Sequence, residues 1–507
     1  MKKITIIVSM LLFAFICKAH LIDRKNSQRV RISVVYDSTS PIDTLLLEYL
    51  EHSWDRLPGF KFIPAQSSKH SHYFDLVNQE QIAYISLSKP SKRTRYINFI
   101  TRFISEPGDD VTINILKDSS LFNGYSLKFS GKGSIKYQCQ YDLSKTSEKT
   151  MKQFYKQPNY TIRNRLIVKD SIYYKYFLIN LESQIKSETK TYITNLSILE
   201  KYKNRLGSFM YNLLKAQVYG SLEDSNISHL IFPYTQVKDR SLIPQYFAEI
   251  ENSLLNTYRH RYKPDFKQIP DQYLTLSGNY ISYIIKRTAD TIFDKKDHYG
   301  YLKSNFRGIL RDRLIAAYFT RYYFEKENAD INVSDALTFV KTDYCKSILQ
   351  SFNNSLKSGN LAYSFELPDS SGKIVKLNDF KGKVLLIDFW FTGCSGCRTL
   401  ADQMRPIAKH YETNNRIAFV SINVDQDISK WKNSIQSGKY THTNSIDLST
   451  GIVNGKRIIN YYKIFAYPTV IIIDKKGKII TGSPPEPNNP SSAKALTDLL
   501  DRSISED

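Results

Sequence analysis

The chain reads as a multidomain protein with a β-rich N-terminal region, a central α-helical region and a C-terminal α/β domain. Three observations predict this. Apolar residues alternate with period two in the first part of the chain and recur at helical spacing in the middle. Near the end, a buried-strand run stops abruptly at two cysteines. With 507 residues and 41% hydrophobic composition the chain can bury more than one core, and its length suits about three domains.

The β-rich region is assigned to residues 20–142. Alternation appears at Val30, Ile32 and Val34, at Val111, Ile113 and Ile115, and at Tyr125, Leu127 and Phe129. Turn signals separate the runs at Glu106-Pro107-Gly108-Asp109 and Gly131-Lys132-Gly133. A small antiparallel sheet or sandwich is predicted.

Residues 143–355 are predicted to form a helical bundle. Phe306, Leu310, Leu314, Ala317 and Arg321 repeat at helical spacing, and Tyr176 and Ile179 belong to another long amphipathic segment. The aromatics Tyr173, Tyr174, Tyr318, Tyr322 and Tyr323 are read as core and not as a cofactor box, because such stripes at helical spacing pack inward. The small polar run from Asn353-Asn354-Ser355 to Gly359-Asn360 predicts a linker ahead of a last domain over 361–507.

Residues 1–19 read as a secretory leader. Lys2 and Lys3 precede an apolar run from Ile4 to Ile16, and Cys17-Lys18-Ala19 offers small residues for cleavage after Ala19. The apolar run is short for a membrane span, which disfavours an uncleaved anchor. Phe15-Ile16 before Cys17 disfavours a lipoprotein signal. Localisation is therefore expected in the periplasm or cell envelope.

Export sets an oxidising context, yet only Cys139 and Cys345 accompany the final cysteine pair in the exported chain. Free buried thiols are expected for both. The balance of 71 Lys and Arg against 49 Asp and Glu, formally +22, is read as solvated lysine-rich faces. No basic run or aromatic RNA motif points to nucleic acid, and no phosphate loop, metal-binding His pair or internal repeat is present.

The stretch Val384–Leu400, VLLIDFWFTGCSGCRTL, predicts strand, tight turn and helix start with thiols at the turn. A helix N-terminus has unpaired N–H groups and partial positive charge, which favour a thiolate at the first cysteine. Cys394 is the expected nucleophile. Cys397, three residues along the helix, can close a disulfide with it and form a reversible two-electron couple. Half a zinc site is the competing reading, but Cys139, Cys345, His410 and His442 are scattered singly where a structural zinc needs four grouped ligands. Neither a metal nor a cofactor is expected.

These residues carry a resemblance. FELPDSSGKIVKLNDFKGKVLLIDFW, CSGC, SINVD and YPTVIIIDKKGKII, in that order, resemble the thioredoxin-fold domain of the TlpA/ResA-like thiol-disulfide oxidoreductases, close to the AhpC/TSA superfamily. The resemblance covers a little over a quarter of the chain and implies a thioredoxin fold there. It also implies that Asp388, six residues before the first cysteine, exchanges the resolving thiol's proton, and that Pro468 follows a cis bond and faces the thiols, leaving the backbone of Tyr467 to pair with a substrate strand. Three features depart from the pattern. Gly393 stands where thioredoxins have Trp, Ser395-Gly396 separates the thiols, and the helix proline comes late, at Pro406. The segment from Gln426 to Ile459 resembles the insertions of this group, with Trp431 expected in the core. The EPGDDVTI and LKFSGKGS pieces resemble a β-domain found ahead of such domains in Gram-negative bacteria, which implies no activity.

The expected function is an exported thiol-disulfide oxidoreductase that reduces disulfides in exported proteins. Its partners would be protein thiols or disulfides and a membrane thiol electron donor. A rival reading is an envelope binding or assembly module whose last domain holds a partner. A peroxidase is disfavoured, because Phe391 and Ile387 stand where the peroxidatic pattern has Thr and Pro.

Overall fold

The computed structural model describes residues 28–36, 44–50, 61–63, 66–68, 71–78, 80–91, 95–121, 123–155, 171–236, 264–289, 297–326, 328–442, 444–451, 456–464 and 466–506. The leader reading, with cleavage after Ala19, lies outside these residues. The chain divides into two compact units, one running essentially to Lys296 and the other from Asp297 to the end.

Among the described residues the first unit opens with nine strands: β1 (Arg29–Tyr36), β2 (Leu46–Leu50), β3 (Lys61–Ile63), β4 (Gln66–Ser68), β5 (Ser71–Val77), β6 (Ala83–Ser91), β7 (Arg95–Ser105), β8 (Asp110–Lys117) and β9 (Tyr125–Lys132). They form a five-stranded sheet, β4-β5-β1-β8-β9, and a four-stranded sheet, β3-β2-β6-β7. The inward residues of both sheets share one core, including Val30, Ile32, Val34, Leu47, Ile85, Phe103, Val111 and Ile113. The predicted alternation is thus the inner face of a sandwich. One pairing departs from the antiparallel expectation: β1 and β8 run parallel, because the strands that meet are far apart in sequence and need no hairpin.

The Glu106–Asp109 turn is tied to the first helix, α1 (Ser134–Tyr155). Asp109 is buried, accepts from Glu106 N at 2.9 Å, and receives Lys136 Nζ at 2.5 Å and the Tyr137 hydroxyl at 3.2 Å. Helices α2 (Ser171–Tyr202), α3 (Ser208–Gln236), α4 (Asp271–Leu276) and α5 (Gly278–Arg287) follow. Gly220 on α3 lets α5 approach so closely that a Cβ there would lie 2.5 Å from Tyr280 N. The Tyr84 hydroxyl of β6 donates to Leu276 O at 2.8 Å, which joins the sandwich to the helices.

The second unit begins with α6 (His298–Asn305), α7 (Gly308–Tyr322), α8 (Ala329–Phe339) and α9 (Asp343–Leu356). Leu314, Ala317 and Tyr318 of α7 are buried, as their spacing predicts, whereas Phe306 lies just before the helix. The linker expected from Asn353 to Asn360 is instead a built joint. Residues 353–356 complete α9, and Asn360 Nδ2 donates to Asn353 O at 2.8 Å and Asn354 O at 3.0 Å, which satisfies carbonyls orphaned at the helix end. Beyond it the chain pairs with the C-terminal hairpin through Gly359 N to Ile479 O and Ile479 N to Asn360 O, both 2.8 Å.

The hairpin β10 (Glu366–Pro368) and β11 (Ile374–Lys376) precedes β12 (Val384–Trp390), α10 (Ser395–His410), β13 (Ile417–Asn423), α11 (Ile428–Gln436), β14 (Ser445–Ser449), α12 (Lys456–Tyr461), β15 (Thr469–Ile473), β16 (Ile479–Thr481) and α13 (Pro490–Ser505). The sheet order is β14-β13-β12-β15-β16, with β12, β13 and β14 parallel and β15 and β16 antiparallel. This is a thioredoxin fold. β12 is central and covered on both faces, so its sequence is an almost unbroken apolar run. Val384 and Leu386 face Leu400, Met404 and Ile407 of α10 and Leu496 and Leu500 of α13. Asp388 is the one charged residue in that strand.

Candidate redox site

β12 ends at Trp390, and the turn that follows delivers Cys394 to the N-cap of α10. Gly393 sits at φ 99°, a left-handed conformation that a side chain strains. That requirement explains a glycine where the family pattern has tryptophan. Its N–H donates to the Tyr440 hydroxyl at 2.9 Å, and the Tyr440 ring stacks on Trp390 with centroids 4.8 Å apart. Trp431 of α11 is buried in the same cluster as Trp390, Cys394 and Cys397, as expected of a core residue.

Cys394 and Cys397 form a disulfide. The backbone N–H of Cys397 donates to Cys394 Sγ at 3.0 Å. In the reduced form this donor and the helix dipole both favour a thiolate on Cys394. The two cysteines are 7% and 3% exposed, so what access there is leads to Cys394.

The Tyr467-Pro468 bond is cis. The Tyr467 carbonyl oxygen lies 3.8 Å from Cys394 Sγ. Gly396 has a packing role here, since a Cβ at that position would stand 3.2 Å from Pro468 Cδ. The Ser395-Gly396 dipeptide, a departure from the family pattern, thus admits the proline loop against the thiol pair. Phe391, 37% exposed, meets the Tyr467 ring edge-on at 5.5 Å and forms an apolar rim beside the disulfide.

Asp388 lies on β12 in register with Ser421 of β13, which is in register with Asp447 of β14. Ser421 Oγ accepts from Trp390 Nε1 at 2.7 Å and faces Asp388 Oδ2 at 3.5 Å. A small cavity under α10 is lined by Asp388, Ser421, Ser445 and His442 together with Leu400 and Met404, one to two turns beyond Cys397. Burial, and then the charge on Asp447, push the Asp388 carboxyl up to about 8. Burial pushes Asp447 up to about 6, although the Ser445 hydroxyl donates to it at 2.9 Å. His442 is held neutral, lowered to about 4 by burial and by Arg405.

The four residues singled out from the sequence are therefore placed around one helix start: Cys394 and Cys397 on it, Pro468 against Gly396, and Asp388 on the strand beneath. Sequence reasoning misses Asp447 and Tyr440. A signal for Asp447 existed, since Ile446-Asp447-Leu448 repeats the apolar-acid-apolar pattern of Ile387-Asp388-Phe389. Tyr440 had none, because its role depends on a backbone N–H far away in sequence. Cys139 and Cys345 are each buried as thiols, with Cys139 pushed up to about 12 by burial. Among the described residues no three His, Cys, Asp or Glu side chains gather as metal ligands would, and no helix is long and apolar enough to cross a membrane.

Residues 358–481 match the AhpC/TSA family. The thioredoxin-like protein YneN of Bacillus subtilis (strain 168) is 34% identical over 125 residues, which span 24% of this chain and 69% of that protein. The thiol-disulfide oxidoreductase ResA of the same organism is 25% identical over 126 residues, spanning 25% of this chain and 66% of ResA. The matched region is thus about two thirds of each relative's length. Among solved structures, the thioredoxin domain of a thiol-disulfide oxidoreductase from Bacteroides vulgatus aligns at 28% identity with a TM-score of 0.25, covering 30% of this chain and 100% of that one. With this degree of identity and coverage, the chain belongs to the AhpC/TSA family through a C-terminal thioredoxin-fold domain of the thiol-disulfide oxidoreductase kind.

Proposed function

We propose that the protein is an exported oxidoreductase that reduces disulfides in exported proteins through Cys394 and Cys397. The observation that carries this reading is a disulfide-forming pair at a helix N-terminus, with Cys394 Sγ receiving the Cys397 N–H and lying beside the cis Tyr467-Pro468 bond.

In this reading the Cys394 thiolate attacks one sulfur of a substrate disulfide, breaking that bond and releasing the other substrate sulfur as a thiolate. Cys397 then gives its proton to Asp388 and attacks Cys394 Sγ. The second substrate sulfur leaves, and two electrons have passed to the substrate. The Tyr467 carbonyl, held by Pro468, is offered to a substrate strand. Regeneration takes two electrons from a donor dithiol. A membrane thiol carrier fits an oxidising compartment in the periplasm or cell envelope, reached through the leader at residues 1–19 with cleavage after Ala19. The division into a β-rich 20–142, a helical 143–355 and a redox 361–507 belongs to the same proposal, with the first two parts docking or spacing the third.

The test is the reduction potential of the Cys394/Cys397 couple in the purified chain, together with trapping by Cys397→Ser. A potential near −270 mV, about that of thioredoxin, and mixed disulfides on Cys394 of the variant are expected. A potential near −120 mV, about that of a dedicated oxidant, would reverse the direction proposed. A pair that never cycles would end the reading.

A further inference from the structure

We propose that Asp447 is a positioning residue for the redox step: its carboxylate, in register with Asp388 across Ser421, opposes charge on Asp388 and so keeps Asp388 a proton donor when the Cys394–Cys397 disulfide opens. The proposal rests on the reading above that Asp388 exchanges a proton with Cys397.

Three parallel strands set these residues in a row. Asp388 pairs with Ser421, and Ser421 with Asp447, so all three point to the face that α10 covers. The two acids are separated by two strand spacings, about 10 Å between Cα atoms. Among the described residues the hydroxyl of Ser421 lies between them in the row: Ser421 Oγ faces Asp388 and already accepts from Trp390.

The surrounding groups do not neutralise the pair. Among the described residues, α10 contributes Arg405, the segment before β14 contributes Tyr440 and His442, β13 contributes Ser421, and β15 contributes Val470. The Arg405 guanidinium is engaged by Asp402 and by the Gly438 carbonyl, and His442 is uncharged at neutral pH. Salt screens little inside a protein, so two acids on one covered face do not ionise independently. Asp447 ionises first, because the Ser445 hydroxyl donates to its charged form. Asp388 then keeps its proton.

The chemistry closes without a further reactant. A thiolate of the donor dithiol attacks Cys394 Sγ, the Cys394–Cys397 bond breaks, and Cys397 leaves as a thiolate that takes the proton of Asp388. The donor's second thiolate displaces Cys394, and the donor ends as a disulfide. When the protein reduces its own substrate, Cys397 returns the proton to Asp388.

The experiment uses the oxidised full chain and two readouts: the protonated-carboxyl infrared band as pH is raised, and the rate of disulfide reduction by dithiothreitol over the same range. Loss of the band in Asp388→Asn assigns it. In Asp447→Asn the band's midpoint is expected to move to lower pH and reduction at neutral pH to slow, while Asp447→Glu, which restores the charge, stays near the parent in both. If Asp447→Asn does not fold, Asp447→Ser removes the same charge and is read in the same way. An unmoved midpoint on loss of the Asp447 charge overturns the proposal and leaves Asp388 in its role. An Asp388→Asn chain whose reduction keeps the parent pH profile overturns the proton exchange with Cys397 itself, a result that the band midpoint keeps distinct from any failure at Asp447.

Discussion

Asp109 in the first unit is a buried acid and Asp388 in the second a half-buried one, both on strand-rich frames, but their surroundings are opposite. Asp109 is matched by Lys136 Nζ at 2.5 Å, the Tyr137 hydroxyl and Glu106 N. Asp388 has one marginal hydroxyl at 3.5 Å and a second acid in its row. Burial raises both carboxyls; at Asp109 Lys136 pulls back against it, whereas at Asp388 the charge on Asp447 adds to it. The difference separates two uses of such an acid. One is paired with a lysine and holds a turn against a helix, and the other has no cation beside it among the described residues and, under the proposed function, keeps an exchangeable proton.

The largest test of this contrast is Lys136→Met. It strands Asp109 as an uncompensated buried charge and should cost about 3–5 kcal/mol, read as a lower urea midpoint. The reduction potential of the thiol pair should not move. A small cost would mean that Asp109 is not held as an ion, and the contrast would collapse.

Asp388→Asn should do the reverse. An unfolded Asp ionises at about pH 3.9, so the folded group, holding its proton to about 8, contributes its full stability below that lower pH. The contribution is lost as pH rises through the folded value. The variant is therefore expected to be more stable than the parent in mildly alkaline solution, by on the order of a few kcal/mol, with the advantage vanishing in acid. Thermal melts at the two pH extremes check the sign. Equal melting shifts at both would show that Asp388 is not a neutral acid in the fold.

Two smaller changes sharpen the redox side. Gly393→Ala puts a side chain at φ 99° with nothing within 4 Å to clash, so its cost is backbone strain alone, about 1–3 kcal/mol in unfolding. Tyr440→Phe keeps the stack on Trp390 and removes only the acceptor for Gly393 N–H, and about 1 kcal/mol is expected. A Tyr440→Phe cost above that of Gly393→Ala would mean that the hydroxyl, and not the glycine, shapes the turn.

Much of the architecture is legible along the chain because it is local. The alternation at Val30, Ile32 and Val34 becomes an inner sandwich face. The apolar run of β12 becomes a strand covered on both sides, and Cys394 and Cys397 become neighbours across one helical turn. The polar run at 353–360 misleads, because Asn and Gly mark a helix end as readily as a linker. Only Asn360 turning back onto Asn353 and Asn354 tells the two apart.

Period, turn chemistry and the thiol spacing were determined by the sequence itself, since each is set within a few residues by sterics and by the geometry of one turn. Which acid received a cation, which strands ran parallel, and that Tyr440 caps Gly393 were decided only by tertiary structure. Those outcomes depend on the register of strands that meet from distant parts of the chain, and charge acts on whatever that register brings within reach.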